Sequence, residues 1–400
     1  MTDHSDLNAP GLEAPGFSNQ AQRLAQPGGD VWKVHYDALA RQANGEDIIV
    51  LSVGDPDFDT PEYIAAHVVA QMNAGRTHYS PAAGEDGLRD AIAQLETEST
   101  GRVFTRDQIV IFPGATAALF GVFSCVLNEG DGVLVPEPMY IGYQGVFDAI
   151  GAEIQHVALS APRFELDVDE LLDAVQPNTR AVLVNTPGNP CGNLIGPETL
   201  RRLAIECRNR NLWLVCDEVY SLITFDAPHI SMLKCTEDLS NIVVVDGLSK
   251  SHAMTGWRIG WTVADVPMTE ALTNMSGAAF FGVCQFVQDG AEFALANDAE
   301  EVELMRRSYE TRRNYVVERI KRIKKLDCFV PPAGMFVMLN GEQVANSGDA
   351  FAHWLLNEAG ISTIPGSGFG PSANSYVRLS LTVPQRDLEQ AFDRMESILN

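Results

Sequence analysis

Positive charge is scarce in this chain. Its 400 residues carry 28 Lys and Arg against 53 Asp and Glu, a formal net charge of −25, and a protein that neutralises nucleic-acid phosphates needs the opposite balance. No nucleic-acid partner is expected. The seven cysteines (125, 191, 207, 216, 235, 284 and 328) form no Cys-x-x-Cys pair. Scattered thiols suit a reducing cytoplasm and argue against a disulfide frame or a zinc site, so no metal is expected. No apolar run reaches membrane-spanning length, and Met1-Thr2-Asp3-His4-Ser5-Asp6 lacks the basic region and apolar core of a secretory signal. A cytoplasmic protein without a membrane partner is expected. The Gly-x-Gly-x-x-Gly fingerprint is missing too: Gly366-Ser367-Gly368-Phe369-Gly370 has the wrong spacing. No Walker sequence occurs either, so nicotinamide and nucleotide readings lose their usual support.

What is present is an ordinary globular composition, 46% apolar and 20% charged, in a chain longer than one domain usually is. Residues 1–30 are rich in Pro, Gly, Asn and Gln and read as a loose N-terminal arm. Asp30 to Ala43 has helical apolar spacing, and Ile48 to Val53 reads as a strand. The middle alternates short apolar runs (109–112, 133–135, 181–184, 212–216 and 242–245) with longer amphipathic stretches. That alternation predicts an α/β fold, a mostly parallel central sheet flanked by helices. Beyond residue 300 come a charged helix (301–325), two strands (335–338 and 376–379) and a closing helix (384–399). The expected division is a large domain over 59–300 and a smaller α+β domain made of 31–58 and 301–400.

In an open parallel sheet, ligands sit at the carboxyl ends of the strands, and each apolar run ends in a polar or glycine-rich motif. After the first, Pro113-Gly114-Ala115-Thr116 opens a helix, where backbone N–H groups favour a phosphate. After the second, Tyr140 is an aromatic that can stack on a planar ring, although a packed turn residue is the commoner role. After the third comes Asn189-Pro190-Cys191-Gly192. After the fourth comes Asp217-Glu218-Val219-Tyr220. A carboxylate there can bond a pyridinium N–H, or simply cap the next helix. After the fifth comes Gly247-Leu248-Ser249-Lys250-Ser251-His252-Ala253-Met254-Thr255-Gly256-Trp257-Arg258. A lysine forms an imine with an aldehyde only after losing its proton, which takes desolvation or a nearby cation such as Arg258.

This last string resembles the cofactor-lysine segment of the class I/II aminotransferases, pyridoxal-phosphate enzymes of fold type I. The likeness runs from about Asp30 to the C-terminus. It implies that Lys250 attaches pyridoxal 5′-phosphate and relays the substrate proton, and that Asp217 holds the pyridinium. It implies further that Asn189 and Tyr220 bond the ring oxygen and that Tyr140 stacks on the ring. Ser249, Arg258 and the backbone at Ala115 and Thr116 would hold the phosphate. Tyr79, in His78-Tyr79-Ser80-Pro81, would reach the phosphate of a neighbouring subunit, so a homodimer with a shared site is implied. Gly54, in Leu51-Ser52-Val53-Gly54-Asp55-Pro56, and Arg378 would fix the substrate carboxylate, a task suited to a guanidinium fork. Two departures stand out: Cys191 where Thr is commoner, and Gly247 where many relatives carry a phosphate-binding serine.

Fold alone does not settle reaction type. A carbon–sulfur lyase or decarboxylase of the same fold is the rival chemistry; a sensor domain in a transcription regulator lacks the spare length and basic arm it needs. Transamination between an amino acid and a 2-oxo acid is expected, because every group for both half-reactions is present. No Lys or Arg lies between Arg258 and Arg306, which leaves a donor's second carboxylate unpaired at a cost of several kcal/mol if buried. A neutral or basic donor follows. Asp30-Val31-Trp32-Lys33-Val34-His35-Tyr36, Glu137-Pro138-Met139-Tyr140 and Leu248-Ser249-Lys250-Ser251-His252-Ala253-Met254 resemble family members that pair arginine with pyruvate. That resemblance implies arginine and pyruvate as the leading pair, with a broad alanine, aromatic or aspartate range the alternative.

Overall fold

A computed structural model of the chain describes residues 16–25, 30–297 and 299–400. Its first eight strands are β1 (Ile49–Val50), β2 (Ile109–Phe112), β3 (Gly132–Glu137), β4 (Glu153–Ala158), β5 (Thr179–Asn185), β6 (Trp213–Asp217), β7 (Ile242–Gly247) and β8 (Gly260–Val263). Seven of them form the central sheet in the order β2-β8-β7-β6-β5-β3-β4. Only β8 runs against its neighbours.

The unbroken apolar runs follow from burial on both faces. Val182, Val184, Leu214, Cys216, Ile242 and Val244 point into one layer. Ala181, Leu183, Val215, Val243 and Val245 point into the other. Each valine, leucine or isoleucine among them contributes roughly 1.5–3 kcal/mol by leaving water. The helix Pro197–Asn209 covers the first layer with Leu200, Leu203, Ala204 and Cys207, one helical face. The helix Ala115–Val126 covers the second with Ala118, Leu119, Val122 and Phe123.

The remaining strands are β9 (Asp327–Cys328), β10 (Phe336–Asn340), β11 (Ile361–Ser362), β12 (Ile364–Pro365) and β13 (Tyr376–Ser380). An antiparallel sheet has the order β12-β13-β10-β9, and β1 pairs in parallel with β11. Met305, Tyr309, Val316 and Ile320 of the long helix Ala299–Ile320 pack here with Leu388, Phe392 and Met395 of the closing helix Gln385–Leu399. Arg319 ties the two together through Asp393 and Glu396, each at 2.7 Å. The expected architecture, a mostly parallel central sheet between helices with a smaller α+β part, is the one observed.

Several details differ from the sequence reading. The strand expected over 48–53 is regular only at Ile49–Val50. The charged helix ends at Ile320, not 325. Two strands of the central sheet, β4 and β8, went unread, as did the short β9, β11 and β12; β4 is an edge strand broken by the polar Glu153, Gln155 and His156. The arm expected to be loose is helical over Asn19–Leu24, where Ser18 Oγ caps the Ala21 amide and Arg23 Nε donates to the Asp148 carbonyl at 2.8 Å. Residues 1–15 and 26–29 of that arm lie outside the described residues. Among the described residues, no helix is long and apolar enough to cross a membrane.

Candidate active site

Register brings the ends of β5, β6 and β7 level, because Asn185 pairs with Asp217 and Asp217 with Val245. At this level Asp217 is almost fully buried. The Tyr143 hydroxyl donates to its Oδ2 at 2.6 Å and the Val219 amide to its Oδ1 at 3.3 Å. Burial nonetheless pushes the carboxyl up to about 6. Asn185 steadies the turn beside it, donating from Nδ2 to the Asp217 carbonyl at 2.9 Å and accepting the Asn189 amide on Oδ1 at 2.7 Å.

Asn189 is a two-way connector. Its Nδ2 donates to the Tyr220 hydroxyl at 3.0 Å, and its Oδ1 accepts from Arg378 Nη1 at 3.0 Å. Arg378 reaches in from β13, with Nη2 donating to the Ser52 carbonyl at 2.9 Å. Its guanidinium lies 4.1 Å from the Phe336 ring centre and 5.0 Å from that of Phe369. Burial lowers its pKa to about 10 and raises that of the Tyr220 phenol. Arg378 Nε is buried and has no partner.

Lys250 is half-buried, and its Nζ donates to the Gly54 carbonyl at 2.8 Å. Burial draws the amine down to about 8, opposed by the Asp55 carboxylate and assisted by Arg378 and Arg258. Arg258 has a left-handed backbone, φ +53°, and donates from Nη1 to the Thr255 carbonyl at 2.9 Å. Against it lies Gly114, φ +92°, at the start of the helix Ala115–Val126. A Cβ on Gly114 would sit 2.5 Å from Arg258 Nη2, so only glycine lets the guanidinium approach the helix N-terminus this closely. Ala115 and Ser249 are half-buried nearby in the chain, and Thr116 is exposed. Tyr140 meets Tyr143 edge-on at 5.3 Å, and the charges that act on its phenol are those of Arg378, Asp217 and Arg258.

The fold therefore gathers most of the residues picked from the sequence. Tyr79 is not gathered: it is 82% exposed, and the ring it meets among the described residues is that of Phe281, at 4.8 Å. Sequence reasoning passed over Tyr143, Asn185, Phe336 and Phe369. Asn185 carried a usable signal, since it ends an apolar run, whereas Tyr143 sits inside the helix Gly142–Ile150 like any core aromatic. The phenylalanines carried none, because they meet Arg378 only through the fold.

Residues 46–395 match the family model described as aminotransferase class I and II. The chain is a class I/II aminotransferase. It is 39% identical to the arginine–pyruvate transaminase AruH of Pseudomonas aeruginosa over 95% of this chain and 97% of that protein. Against an aspartate aminotransferase of Geobacillus stearothermophilus the identity is 32%, over 90% and 93% of the two chains. A solved structure of a Thermus thermophilus aspartate aminotransferase mutant superposes with a TM-score of 0.91 at 29% identity, covering 96% of this chain and 100% of that one.

Class I/II aminotransferases use pyridoxal phosphate, and the side chains here suit that group. A lysine with a depressed pKa can meet its aldehyde, a buried carboxylate its ring nitrogen, and a cation beside a helix N-terminus its phosphate. The buried, unpartnered Nε of Arg378 leaves donor capacity for a carboxylate.

Proposed function

We propose the following division of work in this aminotransferase. Lys250 attaches the cofactor and carries the substrate's α-proton, a task its pKa of about 8 suits near neutral pH. Asp217 accepts from the ring nitrogen, Asn189 and Tyr220 bond the ring oxygen, and Tyr140 stacks on the ring. Arg258, Ser249, Tyr79 and the backbone at Ala115 and Thr116 hold the phosphate. When bound, pyridoxal phosphate supplies the electron sink that makes an amino acid's α-proton labile. Arg378 and the Gly54 backbone orient the substrate by its carboxylate, with the guanidinium packed against the Phe336 and Phe369 rings.

The donor we infer is neutral or basic, with arginine and pyruvate the leading pair. One observation carries this: no Lys or Arg occurs from 259 to 305, so that stretch supplies no cation for a second carboxylate. The exposed Asp55, close enough to act on the Lys250 charge, supports a cationic donor. The 39% identity to an arginine–pyruvate transaminase points the same way. An aspartate donor is the second reading, favoured by several aspartate aminotransferases at 32% identity. Steady-state rates with arginine, lysine, alanine, phenylalanine and aspartate, each against pyruvate and 2-oxoglutarate, decide between them. Aspartate as the best donor defeats the first reading.

We also propose a homodimer in which exposed Tyr79 enters the partner's site. The sequence-based division into an arm, a large domain (59–300) and a small one (31–58 with 301–400) belongs to the same reading, as does residence in a reducing cytoplasm. It is supported by the antiparallel sheet lying wholly within 327–380 and by seven free cysteines.

A further inference from the structure

Asp217 must remain a carboxylate if a ring nitrogen beside it is to keep its proton. Burial works against that, and so does the neighbouring Glu218 charge. Two donors oppose it: the Val219 amide at a long 3.3 Å and the Tyr143 hydroxyl at 2.6 Å. The second is short and charge-assisted, the stronger kind of hydrogen bond. Tyr143 is itself 2% exposed, and burial with the adjacent carboxylate holds its phenol protonated, so it stays a donor. It has a second contact. Its ring stands at 90° to that of Tyr140, and its amide donates to the Tyr140 carbonyl at 3.1 Å. Val135, Val146, Phe147 and Leu183, buried in the same cluster, fix the ring in place.

We propose that Tyr143 is a positioning residue that keeps Asp217 the weaker base in its pairing with the cofactor's ring nitrogen, while the same side chain sets the tilt of Tyr140. This rests on the role given to Asp217 above. The buried phenol is spent on Asp217 and its ring on Tyr140, so it acts through those two groups. Removing only its oxygen makes Asp217 more basic and less firmly held, so the shared proton moves from the ring nitrogen towards the carboxylate.

The test uses holoenzyme loaded with cofactor carrying nitrogen-15 in the ring. Tyr143→Phe should shift the nitrogen resonance towards its unprotonated position and lower kcat about tenfold, with KM within about twofold. Asp217→Asn should shift it further. The double variant should be no slower than Asp217→Asn alone, because the phenol acts through that carboxylate. An unmoved resonance and unchanged kcat in Tyr143→Phe, with Asp217→Asn shifted, reduces Tyr143 to packing and overturns the inference. An unmoved resonance in Asp217→Asn defeats the Asp217 assignment instead. If Tyr143→Phe does not fold, 3-fluorotyrosine placed at 143 keeps the ring and strengthens the donor. The resonance should then move the opposite way, and no movement overturns the inference.

Discussion

Lys250 holds about half of its amine uncharged near pH 8, where an ordinary lysine is almost wholly protonated. Proton loss creates the nucleophile, so attachment of pyridoxal phosphate to cofactor-free protein should accelerate as pH rises through about 8. Stopped-flow absorbance measures this directly; an inflection roughly two units higher, at the free-lysine value, contradicts the burial argument. Between those two values the unfolded chain binds the more protons, so raising the pH favours the cofactor-free fold. Lys250→Ala should lose both the visible band of the attached cofactor and turnover. Asp217→Ala should cut kcat by about a hundredfold or more with little change in KM, since its charge matters most as electrons move into the ring. Unchanged kcat reduces Asp217 to a structural turn residue that accepts the Val219 amide. Arg378→Ala should instead raise KM for amino and oxo acids alike, since both present a carboxylate. These side chains were legible because most sit where an apolar run stops, and a run's end needs no tertiary knowledge to find. Tyr143 was hidden by lying inside the following helix, Gly142–Ile150, as an apparently ordinary core aromatic.

At the level of elements, β7 and β8 form a hairpin-like pair whose loop carries both Lys250 and Arg258, with Gly247 facing Gly260 across it. A Cβ on Gly247 would lie 2.8 Å from the Ile259 carbonyl oxygen and 3.1 Å from the Gly260 Cα, both backbone atoms that cannot swing aside. The serine that resembling sequences carry here therefore does not fit unless β8 moves. Gly247→Ser should lower the melting temperature by the equivalent of about 1–3 kcal/mol and leave cofactor affinity no tighter. Calorimetry and a cofactor titration check the two halves, and a variant that melts no earlier while binding more tightly refutes the steric account. The sequence made the buried strands legible and left β8 unread. Gly260-Trp261-Thr262-Val263 looks like the tail of the lysine motif, and only pairing on both sides makes it a strand.

For the whole molecule, the exposed Tyr79–Phe281 pair makes a sharp claim about assembly. If Tyr79 serves the partner's phosphate, a weakly active Tyr79→Ala chain and an inactive Lys250→Ala chain should rescue each other on mixing. Random exchange makes half the dimers mixed, each with one complete site, so about a quarter of native activity should return. No recovery, with subunit exchange verified by mass spectrometry, removes the shared-site reading. The sheet order carries a different consequence, one in time. Among the described residues strand β2 pairs with β8 alone, so Ile109 pairs with Val263 across more than 150 residues of intervening chain. Such distant closure is slow, and during synthesis it waits until β8 has left the ribosome. The carboxylate end of the site, built on the neighbours β5 and β6, can form first. The seat between Gly114 and Arg258 must form later, and the Arg378 end on β13 later still, which leaves the nascent chain able to shape a ring pocket before it can hold a phosphate.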